Sequence, residues 1–165
     1  MRIKVLSLVV LFSIFSCGGE LSKEQREMLK TGMRTNKVRR VTPAQLTEAA
    51  FRQGGLIAKE IQDNDPNLTD AAFRASIGKS YGARVYLLRT SDALLDGTDQ
   101  KLLEAYTSVT DASDLKDNVQ KIGTDTLLYT LPVTFERPDG SSVFSHALAI
   151  RMATKSIINS LPKKY

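Results

Sequence analysis

The segment DTLLYTLPVTFE (residues 125–136), then RPDG (137–140), then SSVFSHALAIRM (141–152) decides the fold of this chain. In its first half, apolar residues recur at every second position, which is the period of a β-strand with one buried face: Leu127, Tyr129, Leu131, Val133 and Phe135. The Pro-Asp-Gly sequence that follows favours a turn. The segment therefore predicts an antiparallel hairpin.

The second half of the hairpin carries the only histidine of the chain, His146. Strict alternation places it on one face with four apolar residues, Phe144, Leu148, Ile150 and Met152. A histidine in that position is either a ligand-binding residue or a core residue whose ring bonds a neighbour, and the core role is the commoner one. Tyr129 and Arg89 are the other polar-tipped side chains that alternation could bring into the same ligand-binding cavity.

The first 16 residues have the composition of a bacterial signal peptide. Arg2 and Lys4 give a positive start, and residues 5–15 form an apolar run. This run is too short for a membrane span, which needs about 20 residues. The sequence Ile14-Phe15-Ser16-Cys17 that follows resembles a lipobox, in which Cys17 becomes the acylated N-terminus; the alternative is a plain secretory signal.

We therefore expect a signal peptide over residues 1–16, a lipidated tether over 17–23 and a single folded domain over 24–165. Cys17 is the only cysteine, so an acylated Cys17 leaves no thiol for a disulfide or a CxxC site. The expected partner is the lipid bilayer, reached through palmitate or a similar acyl chain on Cys17. Gly18 follows the cysteine where an aspartate would favour inner-membrane retention in some bacteria, so we expect the outer membrane, facing the periplasm.

Charge gives little support to nucleic-acid binding. Without residues 1–16 the chain has 21 basic and 18 acidic residues, a net charge of +3. Its basic clusters, at residues 37–40 and 163–164, are not interleaved with aromatic residues. A solvated basic surface that tolerates anionic lipid is the favoured interpretation.

Helix signals precede the hairpin. Thr42, Pro43 and Gln45 form a capping-box pattern, which predicts a helix over residues 43–62. Gly54 and Gly55 lie inside it and cost about 2 kcal/mol of helix propensity, which indicates either a kink or a close approach of another element, and close packing is the commoner cause. A second helix with Asn67 or Thr69 as its cap, a strand over 83–90 and a helix over 99–108 follow, so the fold class is α+β.

Motifs for catalysis and metal binding are missing from the sequence. It has no GxSxG, GxxxxGK or HExxH pattern and no second histidine. Asp92, Asp96 and Asp99 are close together, but they lack the spacing of a calcium loop, and helix capping is the favoured role. We therefore expect a non-enzymatic protein with no metal site.

Four short runs carry a resemblance to a known family: Arg89-Thr90-Ser91, residues 103–106, 128–133 and 147–151. Together they resemble the Tll0287-like domain family, also called DUF3365, over residues 42–161. The resemblance implies a PAS-like antiparallel sheet with N-terminal helices packed on it, and a haem-binding or sensor role. The CxxCH haem motif of that family is missing, because residues 134–137 lead directly into the turn, and its asparagine-proline pair is replaced by residues 92–97.

The resemblance thus implies the fold without covalent haem, and we expect no cofactor. The expected function is a membrane-anchored extracytoplasmic lipoprotein whose domain binds a small molecule or acts as a sensor. Two alternatives stay open. One is a non-covalent haem or redox protein that uses His146, and the other is a structural or assembly lipoprotein that binds an envelope protein.

Overall fold

The computed structural model describes residues 21–35, 41–92 and 95–162, and the chain divides into two compact units, Met1–Arg40 and Val41–Tyr165. The described part of the first unit is helix α1, Lys23–Thr35. Ser22 and Gln25 form a capping box at its start: the Gln25 N–H donates to Ser22 Oγ at 3.2 Å and the Ser22 N–H donates to Gln25 Oε1 at 3.0 Å. The boundary between the units lies after Arg40, whereas the sequence prediction began the folded domain at residue 24.

The second unit contains a four-stranded antiparallel sheet with strand order β1-β4-β3-β2. Its elements in chain order are α2 (Pro43–Asn64), α3 (Ala71–Ser80), β1 (Ala83–Leu88), α4 (Gly97–Thr107), a 3-10 turn (Ala112–Asp114), β2 (Asn118–Ile122), β3 (Thr126–Glu136), β4 (Ser142–Ala153) and α5 (Thr154–Ser160). The predicted α+β class, an antiparallel sheet with N-terminal helices packed on it, is confirmed.

The predicted hairpin is the central pair of the sheet, β3 with β4, but its alternation is broken once. Val133 pairs with His146 and Thr134 pairs with Phe144, so Ser145 is an extra residue on β4 that forms a β-bulge. Beyond the bulge the side chains change face. The prediction that Phe144 shares a face with His146 is therefore wrong, because an added residue reverses a period of two.

The sheet has two buried faces, which we call the α2 face and the α4 face. The α2 face packs on helices α2, α3 and α5 and includes Leu127, Tyr129, Leu148, Ile150 and Met152. The α4 face includes Leu88, Leu128, Ala147 and Ala149, with Leu102 and Tyr106 of α4 against them. The expectation of a single buried face is wrong at the centre of β3, where Leu128 and Thr130 are as buried as Leu127 and Tyr129.

Helix α2 begins at the predicted capping box, with the Gln45 N–H donating to Thr42 Oγ1 at 3.2 Å. Its glycine pair has the predicted cause, a close approach. A Cβ added to Gly54 would lie 2.3 Å from Cγ of Tyr129, whereas one added to Gly55 would lie 4.0 Å from the Tyr129 hydroxyl. Gly54 thus lets the backbone of α2 rest on the ring of Tyr129, and this contact sets the distance between helix and sheet.

A buried carboxylate closes the turn between α2 and α3. Asp65 accepts hydrogen bonds from the backbone N–H groups of Thr69 and Asp70, at 3.0 and 2.8 Å, and pairs with Arg74 at 3.3 Å. Asp70, not Asn67 or Thr69, caps α3 by accepting from the Phe73 N–H. The predicted cap is wrong because the Thr69 hydroxyl is engaged with Asp65.

Candidate functional site

A cleft of about 350 Å³ opens beside α4, between that helix and the segment after β1. It is lined by Thr90, Asp92, Leu95, Gln100, Leu103, Glu104 and Thr107. The lining thus has two carboxylates, two hydroxyls and an amide, together with the buried apolar side chain of Leu103. The volume lies within the range of small-molecule sites, about 300–1,000 Å³.

Asp96 positions the wall of the cleft that α4 provides. Its carboxylate accepts the Thr98 and Asp99 N–H groups, both at 3.0 Å, and so caps the helix. These hydrogen bonds from the backbone, followed by one from Arg151, hold the pKa of Asp96 below its usual range. The start of α4, and with it the placement of Gln100 and Glu104, is therefore fixed before any ligand binds.

A charged network fastens the same end of α4 to the sheet. The Arg151 guanidinium on β4 pairs with Asp99 at 2.9 Å and with Asp96, and its Nε donates to the Tyr86 hydroxyl at 2.6 Å. The Tyr86 hydroxyl in turn donates to the Asp99 carboxylate, whose oxygens lie 2.9 and 3.0 Å away. Arg84 lies over the Tyr86 ring, 5.3 Å from its centroid.

Burial and charge act together on this network, which we call the Arg151 network (Tyr86, Asp96, Asp99 and Arg151). Burial, followed by the hydrogen bond to Asp99, raises the pKa of Tyr86. Burial alone would lower the pKa of Arg151, but the hydrogen bonds to Asp96 and Asp99 outweigh it and raise that pKa. Both shifts favour the protonated forms of Tyr86 and Arg151, which are the forms that donate the hydrogen bonds of the network.

His146 lies beside the bulge, and Ser145 Oγ is 2.9 Å from its Nδ1. Its Nε2 is buried and has no hydrogen-bond partner. Burial first, then the positive charges of Arg89 and Arg74, lower the pKa of His146. The lowered pKa favours the neutral imidazole at pH 7.

The three predicted ligand residues do not meet in one cavity. In the pairing of β1 with β4, Val85 lies opposite Ile150 and Leu87 lies opposite Leu148. The same register, continued past the end of β1, places Arg89 on the side of the sheet where His146 lies. Arg89 is exposed, and its backbone N–H donates to Asp92 at 3.2 Å. Tyr129 pairs with Ile150, four residues along β4 from His146, or roughly 13 Å at the rise of a strand.

Tyr129 is a core residue of the α2 face. It is 2% exposed, its hydroxyl donates to Asp117 at 2.8 Å, and the Phe51 ring stands edge-on to it at 5.9 Å. Burial, followed by the hydrogen bond to Asp117, raises its pKa. Both ends of the side chain are thus already engaged within the protein.

Of the three aspartates, only Asp96 has the predicted role of a helix cap. Asp96 caps α4, Asp99 pairs with Arg151, and Asp92 accepts the Arg89 N–H. In the ranges that the structure describes, no group of three or more acidic, histidine or cysteine side chains could hold a metal ion. Sequence reasoning missed the cleft residues Gln100 and Glu104, because their positions show only a helix.

The site thus belongs to an α+β domain with helices on both faces of an antiparallel sheet. No protein-family model, curated protein or solved structure matches the chain. The resemblance to the Tll0287-like family therefore stays a prediction. Cys17 and the predicted signal peptide lie outside the described residues, and none of the described helices is long and apolar enough to span a membrane.

Proposed function

We propose that the protein is a lipid-anchored envelope lipoprotein whose domain binds a small polar molecule in the cleft beside α4. The observation that carries the binding proposal is the cleft itself, with its rim of Asp92, Glu104 and Thr107 around Leu103. The lipobox at Cys17 supports the anchor. A binding or sensor role needs no catalytic group, only an opening with fixed polar groups, and the cleft provides both.

The charge of the rim favours a ligand that carries a donor or a positive charge. Asp92 and Glu104 bring two carboxylates to the cleft, and the basic side chains Arg151 and Arg74 are paired elsewhere. Glu104 accepts a hydrogen bond from Gln100 at 3.2 Å, which a ligand donor could replace. Small amines, amino acids and polyols are the compound classes that fit these acceptors.

A thermal-shift screen of those compounds tests the cleft, together with native mass spectrometry of gently purified protein. A compound at about ten times its Kd should raise Tm by on the order of 5 °C. Thr107→Trp, which fills the cleft, and Glu104→Gln should remove the shift, while the exposed Glu48→Gln on α2 should keep it. A shift that survives Thr107→Trp, or a screen and a mass spectrum both without a ligand, would overturn the proposal.

Metabolic labelling with a fatty acid tests the anchor separately. The wild type should incorporate the label and Cys17→Ser should not. Fractionation of the labelled cells then distinguishes outer from inner membrane. An unlabelled wild type would refute the lipoprotein assignment and leave the cleft experiment valid.

A further inference from the structure

Helix α1, which follows the proposed anchor, exposes the apolar side chains of Met28 and Leu29, and Leu21 just before it is exposed as well. In the first unit, Leu21, Met28 and Leu29 are 48, 68 and 47% exposed. Met28 and Leu29 are neighbours on α1, whereas Glu27 lies about 150° around the helix from their midpoint. An amphipathic helix of 13 residues is only marginally stable in water by itself, and such helices gain most of their stability when the apolar face is covered.

We propose that the apolar side of α1 lies in the surface of an anionic lipid bilayer. The inference rests on the proposed acylation of Cys17, which would hold the chain at that surface. Leu21 is four residues from Cys17, so it stays within about 14 Å of the anchored residue however the tether bends. Ser22, which caps α1, is the next residue, so acylation of Cys17 would hold the start of the helix near the headgroups.

The basic residues of α1 favour an anionic lipid bilayer as the partner that covers its apolar side. The sequence of α1 has four basic residues, Lys23, Arg26, Lys30 and Arg34, against Glu24 and Glu27. A net charge of +2 on a helix with exposed methionine and leucine suits a surface that offers anionic headgroups above an apolar layer. An apolar protein groove would satisfy Met28 and Leu29 but would leave the basic side unmatched.

Depth-dependent fluorescence quenching tests the inference on the acylated full-length protein. In the lipid-modified protein the sulfur of Cys17 is bonded to the lipid as a thioether and is no longer a free thiol. An introduced cysteine is therefore the single labelling site. Met28→Cys and the control Glu27→Cys are labelled with an environment-sensitive fluorophore. Both are inserted into phosphatidylethanolamine–phosphatidylglycerol vesicles that contain a brominated acyl chain.

The label at position 28 should be quenched roughly threefold more than the label at position 27, as expected for a helix lying 5–10 Å deep. Replacing phosphatidylglycerol with phosphatidylcholine should reduce that difference. Equal quenching at the two positions would overturn the inference while the anchor stands. Labelling of the wild type at Cys17 would instead refute the anchor, and the inference with it.

Discussion

The two faces of the sheet are held by different kinds of contact. On the α2 face, the backbone of α2 at Gly54 packs directly against the ring of Tyr129, within an apolar cluster. On the α4 face a charged group, Arg151, reaches from the sheet to the first turn of α4. Both faces bury an apolar cluster, but on the α4 face directional bonds between charged groups are added to it.

This difference shows where the domain can adapt. Close packing tolerates no added volume, so α2 and its face of the sheet form the rigid half. Helix α4 is held at its first turn through Asp96 and Asp99 and further along through Tyr106, whose hydroxyl lies 2.6 Å from Thr130 Oγ1, and a cleft opens beside it. The cleft beside α4, where packing is incomplete, is therefore the place in this domain where we propose a ligand site.

The largest effect is expected from Arg151→Met, which breaks the Arg151 network. Asp99 is 5% exposed, so losing Arg151 leaves a buried charge whose remaining side-chain donor is the neutral Tyr86 hydroxyl. The free energy of unfolding should fall by about 3–5 kcal/mol. Urea denaturation measures the loss, and hydrogen exchange should show that α4 opens more than α2. The double variant Arg151→Met with Asp99→Leu should recover part of the loss; if it recovers none, the charge is not the cause.

A smaller effect is expected from Gly54→Ala, which places a Cβ 2.3 Å from the Tyr129 ring. Phe51 and Asp117 hold that ring in place, so the helix must shift, at a cost of about 2–3 kcal/mol. Gly55→Ala is the matched control. It meets no close atom and should stabilise the protein by up to about 1 kcal/mol through helix propensity. Equal effects of the two substitutions in thermal unfolding would contradict the close approach.

The smallest effect concerns pH and His146. Because its folded pKa lies below the unfolded value of about 6.5, the unfolded state binds the proton more tightly. Stability should therefore be complete above pH 6.5 and should fall as the pH is lowered through that value. Denaturation at pH 7.5 and 5.5 measures the loss, and His146→Gln should remove it. Asp65 and Asp96, with lowered pKa values, lose their contribution only in more acidic solution.

Local patterns predicted the elements well because their causes are local. The turn residues and the period of two located β3 and β4, and the Thr42 capping box located the start of α2. The glycine pair correctly indicated a close approach. Its partner, Tyr129, lies 75 residues from Gly54 in the sequence, and only the packed structure identifies it.

The errors came from interactions that spacing does not encode. The bulge at Ser145 reversed the face of Phe144, which now stacks on Tyr106 with centroids 5.2 Å apart. The Arg151 network joins residues 65 positions apart, Tyr86 and Arg151, and its assembly requires the pairing of β1 with β4. Alternation placed Tyr129 and His146 on one face, but the distance along the strand separates them.

The single histidine, His146, can serve as a built-in NMR probe of its surroundings. Because the chain has no second imidazole, its ring protons and nitrogens give isolated NMR signals without selective labelling or mutagenesis. Their shifts reveal the tautomer beside Ser145 and the local field of Arg74 and Arg89. Arg89 also donates its N–H to Asp92 at the cleft rim, so a molecule that moves this rim would be visible in one imidazole spectrum.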